Sequence, residues 1–183
     1  MKCKASPLGR MALLPLLLLS CTADDSRYTT DYTCAFAFDT KLHVTSMLTR
    51  ALANPGMFVA VDVAKERGVF KLSMEQNNGT DRETVYLTTE EENRRIGNVG
   101  ANSGLIVGCT SFNGPAAFDR QCPECLASHT TRSFPLAWAD NGRAVTCATC
   151  KRVYQLNYNG SAGDGKRLIE YRVRYDGTLL VVN

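Results

Sequence analysis

The sequence predicts a mostly β fold, a single antiparallel β domain with one short helix near its start. Three observations predict it. From Gly104 onward the chain is a series of short β-branched and aromatic runs parted by Gly, Pro and Asn. Only one stretch, Val44, Met47, Leu48, Ala51 and Leu52, repeats apolar residues at helical spacing, and Asn54-Pro-Gly56 ends it. Asp176-Gly177, finally, is a two-residue hairpin signal between the strand-like runs Leu168 to Tyr175 and Thr178 to Val182.

Taken in order, the chain opens on a segment outside the fold. Lys2, Lys4 and Arg10 precede an apolar run, Met11 to Leu19, that is too short to remain as a spanning helix, so residues 1–20 read as an export signal. The run closes in Leu18-Leu-Ser20-Cys21, which resembles the bacterial lipoprotein box. That resemblance implies that Cys21 becomes the lipid-modified first residue and that Cys3 is discarded. It implies a lipid-anchored protein of the bacterial cell envelope, at the outer membrane or the cell surface, since two acyl chains suffice for stable anchoring. Residues 21–31 are polar and read as a flexible tether. Residues 32–183 make up the domain.

Charge narrows the partners. The chain carries 21 basic and 18 acidic residues, and the three charged residues of the signal are all basic, which leaves 18 of each sign. A neutral domain offers no electrostatic footprint for nucleic acid.

Within the domain, Tyr32 to Phe38 has strand character, and Asp39 or Thr40 can cap the helix that follows. Met57 to Ala64 and Val69 to Met74 read as a hairpin around Lys65-Glu-Arg-Gly68, with Thr84 to Thr88 as a further strand. Thr89-Glu-Glu-Glu92 has the form of a capping box and starts a single helical turn. Residues 97–104 are a Gly- and Asn-rich loop. Leu105 to Phe112 and Ala116 to Arg120 are strands around the turn Asn113-Gly-Pro115. Asn78-Gly-Thr80 and Asn159-Gly-Ser161 match the glycosylation pattern and read better as turns.

The last strand delivers the chain into Cys122-Pro-Glu-Cys125, and Ala144 to Thr146 delivers it into Cys147-Ala-Thr-Cys150, with 21 residues between the two hooks. Each Cys-x-x-Cys turn can aim both sulfurs at one centre, and two such hooks build the tetrahedral sulfur cage that suits zinc or iron. Cys122, Cys125, Cys147 and Cys150 are therefore the candidate metal ligands.

Gly104 to Val182 resembles the Rieske iron–sulfur domain. The resemblance lies in a strand ending Ala117-Phe-Asp119 before Cys122-Pro, in a second loop Cys147-Ala-Thr-Cys150 before an aromatic-bearing strand, and in residues 160–165 before a closing hairpin. It implies a Rieske-like antiparallel β sandwich or barrel with two metal-knuckle loops, of which residues 104–182 are the core. In that family Cys-x-His and Cys-x-x-His loops bind a [2Fe–2S] cluster. Here Cys122 and Cys147 match the cysteine positions, whereas Glu124 and Cys150 stand at the histidine positions and Lys151-Arg152 replaces the usual Gly-Ser.

Three readings of the four thiols follow: a closed structural zinc site, an iron or [2Fe–2S] centre that carries electrons, or disulfides formed after export. Cys34 and Cys109 lie in apolar runs and are either buried thiols or a pair. His43 reads as a capping or core residue, His129 as a solvent-facing one, and Trp138 as a large core residue near the hooks. There is no phosphate loop, nucleophile elbow or His-Glu-x-x-His, and two histidines leave little acid–base machinery. The reading leans to a structural or binding lipoprotein with a metal-clamped tip, against an electron-transfer lipoprotein, and away from an enzyme.

Overall fold

The computed structural model describes residues 27–28, 31–129 and 132–183; the expected export signal and the expected lipidation residue Cys21 lie outside the described residues. The fold is mostly β. Strands β1 (Phe36–Asp39), β2 (Phe58–Glu66), β3 (Val69–Gln76), β4 (Arg82–Leu87), β5 (Gly104–Thr110) and β6 (Gly114–Asp119) are followed by β7 (Leu136–Ala139), β8 (Ala144–Cys147), β9 (Val153–Gln155), β10 (Glu170–Tyr171), β11 (Val173–Tyr175) and β12 (Leu179–Val182). Among the described residues there are also three short α-helices, α1 (Met47–Ala53), α2 (Glu90–Arg94) and α3 (Pro123–Ser128), and two 3-10 turns, Asp140–Gly142 and Leu156–Tyr158. None of the described helices is long and apolar enough to cross a membrane.

A six-stranded antiparallel sheet, order β10-β6-β5-β2-β3-β4, is the middle layer. Side chains alternate across it, as strand geometry requires. Val59, Val61, Leu105, Val107 and Ala117 face one core, together with α1 and the sheet β1-β12-β11. Phe58, Ile106, Ala116 and Phe118 face the other, together with the hooks and the sheet β7-β8-β9. Burial on both faces is why β5 reads as a continuous apolar run, with all seven residues buried. Full burial of each large side chain contributes about 1.5–3 kcal/mol.

The N-terminal half thus supplies β2, β3 and β4, which run from the centre of this sheet to one edge. The hairpin β2–β3 and the capping box, with Thr89 and Glu92 satisfying each other's backbone, are as the sequence predicts. Glu92 also meets His43 Nε2 at 2.6 Å, and His43 stacks on Phe38, a core-supporting role. Four expectations are corrected. Asp39 does not cap α1, because it accepts the Lys41 and Leu42 N–H groups in a turn; Ser46 caps instead, and Val44 is left exposed. The first strand begins at Phe36, not Tyr32. The last hairpin pairs Tyr175 with Leu180, so its loop has four residues, with Asp176 accepting from Thr178 and Leu179. Residues 27–28, expected in a flexible tether, are docked: Tyr28 bridges Glu170 at β10, and the guanidinium groups of Arg27 and Arg172 lie over its ring.

The lobe carrying β7–β9 is tied to the sheet at Asn77, whose amide donates to Gly56 O and Gly142 O, each at 2.9 Å. Gly142 holds φ +81°, and a Cβ there would lie 2.1 Å from Asn77 O, so only glycine fits.

Candidate metal centre

The first hook starts where β6 ends. Asp119, fully buried, accepts from Gln121 N (2.8 Å), Ala101 N (2.7 Å) and the Tyr171 hydroxyl (2.8 Å), and burial raises its carboxyl above the ordinary range despite these bonds. Gln121 Oε1 in turn accepts Phe134 N, while Cys122 N donates to Phe134 O and Leu136 N to Arg120 O. The chain is therefore pinned both where it enters the first hook at Cys122 and where it returns at Phe134. The hook is not a bare loop tip: Cys122 is the N-cap of α3, Pro123 occupies its first turn, and Cys125 lies inside it. Proline is favoured there because the missing N–H would have no helical partner.

The second hook is tighter. It leaves β8 at Cys147 and returns at Arg152, with Cys147 N donating to Arg152 O and Lys151 N to Cys147 O. Lys151 takes φ +59°, the left-handed region that glycine favours.

The four sulfurs converge. All lie within 4.8 Å of one another, Cys122 Sγ being 3.6 Å from Cys150 Sγ and Cys125 Sγ 3.7 Å from Cys147 Sγ. The nearest neighbours belong to different hooks. Cys122, Cys125 and Cys147 are buried and Cys150 is exposed. A tetrahedron with metal–sulfur bonds of about 2.3 Å has edges of about 3.8 Å, so the four cysteines can hold a metal ion.

Their electrostatics are uneven. Burial and the neighbouring thiols push Cys125 up to about 12, and burial likewise raises Cys122 against a hydrogen bond from Cys125 N–H. Cys147 is also raised by burial, but the N–H groups of Cys150 and Thr149 overcome this and bring it to about 7. Tyr154, fully buried, places its hydroxyl 3.6 Å from Cys122 Sγ. Outside the cage, Arg152 pairs with Asp164 (2.8 Å) and Glu124 (3.7 Å), and Lys166 with Glu124 (3.3 Å). Tyr154 and this ion network are site residues that sequence reasoning missed. The aromatic-bearing strand after the second hook was the only signal for the first.

His129 is exposed at the end of α3, against Phe134, and is not in the sulfur cluster. Cys34 and Cys109 are both free buried thiols rather than a pair. Cys34 bridges Val99 at the Asp119 end of the sheet, while Cys109 lies opposite Pro115 at the far end of β5. Trp138 is half-buried and packs against the core that holds the hook cysteines, at the edge of a cleft. Compared with family models, curated proteins and solved structures, the chain gave no match.

Proposed function

We propose that the chain is a lipid-anchored protein of the bacterial envelope whose Rieske-like β domain holds one zinc ion on Cys122, Cys125, Cys147 and Cys150. Convergence of the four sulfurs within 4.8 Å carries the metal reading. It favours a single ion over a [2Fe–2S] cluster, because two bridged irons would hold two thiolate pairs apart, whereas one ion gathers all four on one tetrahedron. Four thiolates leave no position for water, so the zinc is structural: it joins the two hooks and closes the lobe against the sheet. The anchor rests on Leu18-Leu-Ser20-Cys21 alone. The Rieske likeness rests on the order of strands and hooks from Gly104 to Val182, and the envelope metal supply favours an ion that can be picked up after export.

One observation favours a second reading, a single iron that carries electrons. The Tyr154 hydroxyl and the backbone N–H groups aimed at Cys122 and Cys147 are hydrogen bonds of the kind that tune a redox metal.

Metal analysis with an absorbance spectrum tests both on purified protein lacking the signal. One zinc per chain and no colour supports the first; iron with charge-transfer bands supports the second. Neither metal, together with no titratable thiols after denaturation, overturns both in favour of disulfides. Radiolabelled fatty acid incorporated into the full chain, and lost in Cys21→Ala, tests the anchor.

A further inference from the structure

The place where the N-terminal segment meets the domain is strongly basic. Tyr28 forms a parallel bridge with Glu170 on β10, an edge strand of the six-stranded sheet. The Arg27 guanidinium lies 4.8 Å from the centre of the Tyr28 ring and that of Arg172 5.2 Å. Arg27 also pairs with the Glu170 carboxylate at 3.5 Å, and Arg167 lies within electrostatic reach of the same carboxylate. Arg172 exchanges both backbone hydrogen bonds with Asn183, so strand alternation puts Arg174 on the same outward side. All four arginines are exposed, whereas Glu170 is buried, so the surface that water reaches carries the positive charge. A chain that is neutral in total has a local cationic face here.

Chain length fixes which way this face can point. Seven residue steps separate Tyr28 from Cys21, and a fully extended chain of that length spans at most about 25 Å. A compact domain of this size is roughly 40 Å across. A lipid on Cys21 therefore holds the Tyr28 side in the half of the domain nearer the bilayer. The opposite edge of the sheet, β4, lies five strand spacings away, about 24 Å further on.

We propose that the face formed by Arg27, Arg167, Arg172 and Arg174 is the membrane-docking surface of the domain, seated on anionic phospholipid headgroups. This rests on the reading of Cys21 as the lipid anchor. Guanidinium groups donate to phosphate oxygens in bidentate fashion, and each one near an anionic surface favours contact by about fivefold. The anchor keeps the domain at the membrane, and the arginines set its orientation there, with the β4 edge turned outward.

The test uses the full chain, purified with its lipid and reconstituted on vesicles of phosphatidylcholine alone or mixed with phosphatidylglycerol. Arginines are modified with phenylglyoxal and counted by mass spectrometry, with the exposed Arg82 of β4 as the control. The expected result is that phosphatidylglycerol protects Arg167, Arg172 and Arg174 by about fivefold or more relative to phosphatidylcholine, and leaves Arg82 unchanged. Added salt should reduce the protection, since it screens exposed charges. In Arg167→Gln with Arg174→Gln, the protection of Arg172 should fall. Fatty acid on Cys21 with no extra protection on phosphatidylglycerol, or with equal protection of Arg82, overturns the docking face and leaves the anchor standing. Absence of fatty acid on Cys21 overturns both. The comparison of vesicles is made on the unaltered chain and holds whatever the variant does.

Discussion

Arg152, two residues beyond the last hook cysteine, reaches back to Glu124, which lies between the two cysteines of the first hook. The carboxylate is held from its other side by Lys166. Charge therefore ties together the same two loops that the sulfurs do, from outside the cage.

Both partners of this pair keep some access to water, so the pair itself is weak. A double-mutant cycle on Glu124→Gln and Arg152→Gln, read by thermal unfolding of metal-loaded protein, is expected to give a coupling of about 0.5 kcal/mol. The same variants should speed metal loss to a chelator more than they lower stability, because the hooks lose a tie independent of the metal.

Removing a sulfur has a larger effect. Cys147→Ser should abolish stoichiometric metal binding and sharply lower the melting temperature, since binding free energy at a structural site is folding free energy. Metal content and melting curves with and without chelator check this. Chelator should destabilise the wild type and leave the variant unchanged.

Lys151 offers the opposite test. Its left-handed backbone suits glycine, so Lys151→Gly should stabilise the protein by about 0.5–1 kcal/mol. Urea titration with a constant m-value would show it.

Asp119→Asn should destabilise by about 1–3 kcal/mol, because one of its acceptor oxygens becomes a donor facing N–H or O–H groups. The effect should reach the hooks through Gln121, and faster metal release would show that it does.

Acid stability has a local contribution at the last hairpin. Hydrogen bonds from Leu179 N–H, the Thr178 hydroxyl and Thr178 N–H hold Asp176 down to about 2, below its ordinary 3.8. A carboxyl whose folded pKa is depressed stabilises the fold above the unfolded value, and the contribution is lost as pH falls from near 3.8 through about 2. The difference in melting temperature between wild type and Asp176→Asn should therefore shrink to nothing over that window. A constant difference would refute this.

Much of the site was legible because its chemistry is local. Two Cys-x-x-Cys hooks announce themselves by spacing, and the structure brings all four sulfurs together. The β2–β3 hairpin and the Thr89–Glu92 box were legible for the same reason, since turn and cap residues act within a few positions. What was hidden depends on distant partners. That β2, from the N-terminal half, lies between β3 and β5 is set by a shared core and by no local pattern. The strand β7 was hidden because its pairing with β8 depends on the hook geometry. Helix α3 is six residues long, too short for periodicity to show.

Three of the four cysteines are buried and Cys150 alone is exposed. For a bound ion this makes the four bonds kinetically unequal. A competing thiol or chelator meets Cys150 first, and the ion can be drawn off one ligand at a time from that side while the other three still hold it. The speed of exchange is then governed by the loosening of one short hairpin, between Cys147 and Arg152, and not by opening of the domain. A permanent clamp would enclose every ligand; this arrangement leaves the ion a single doorway.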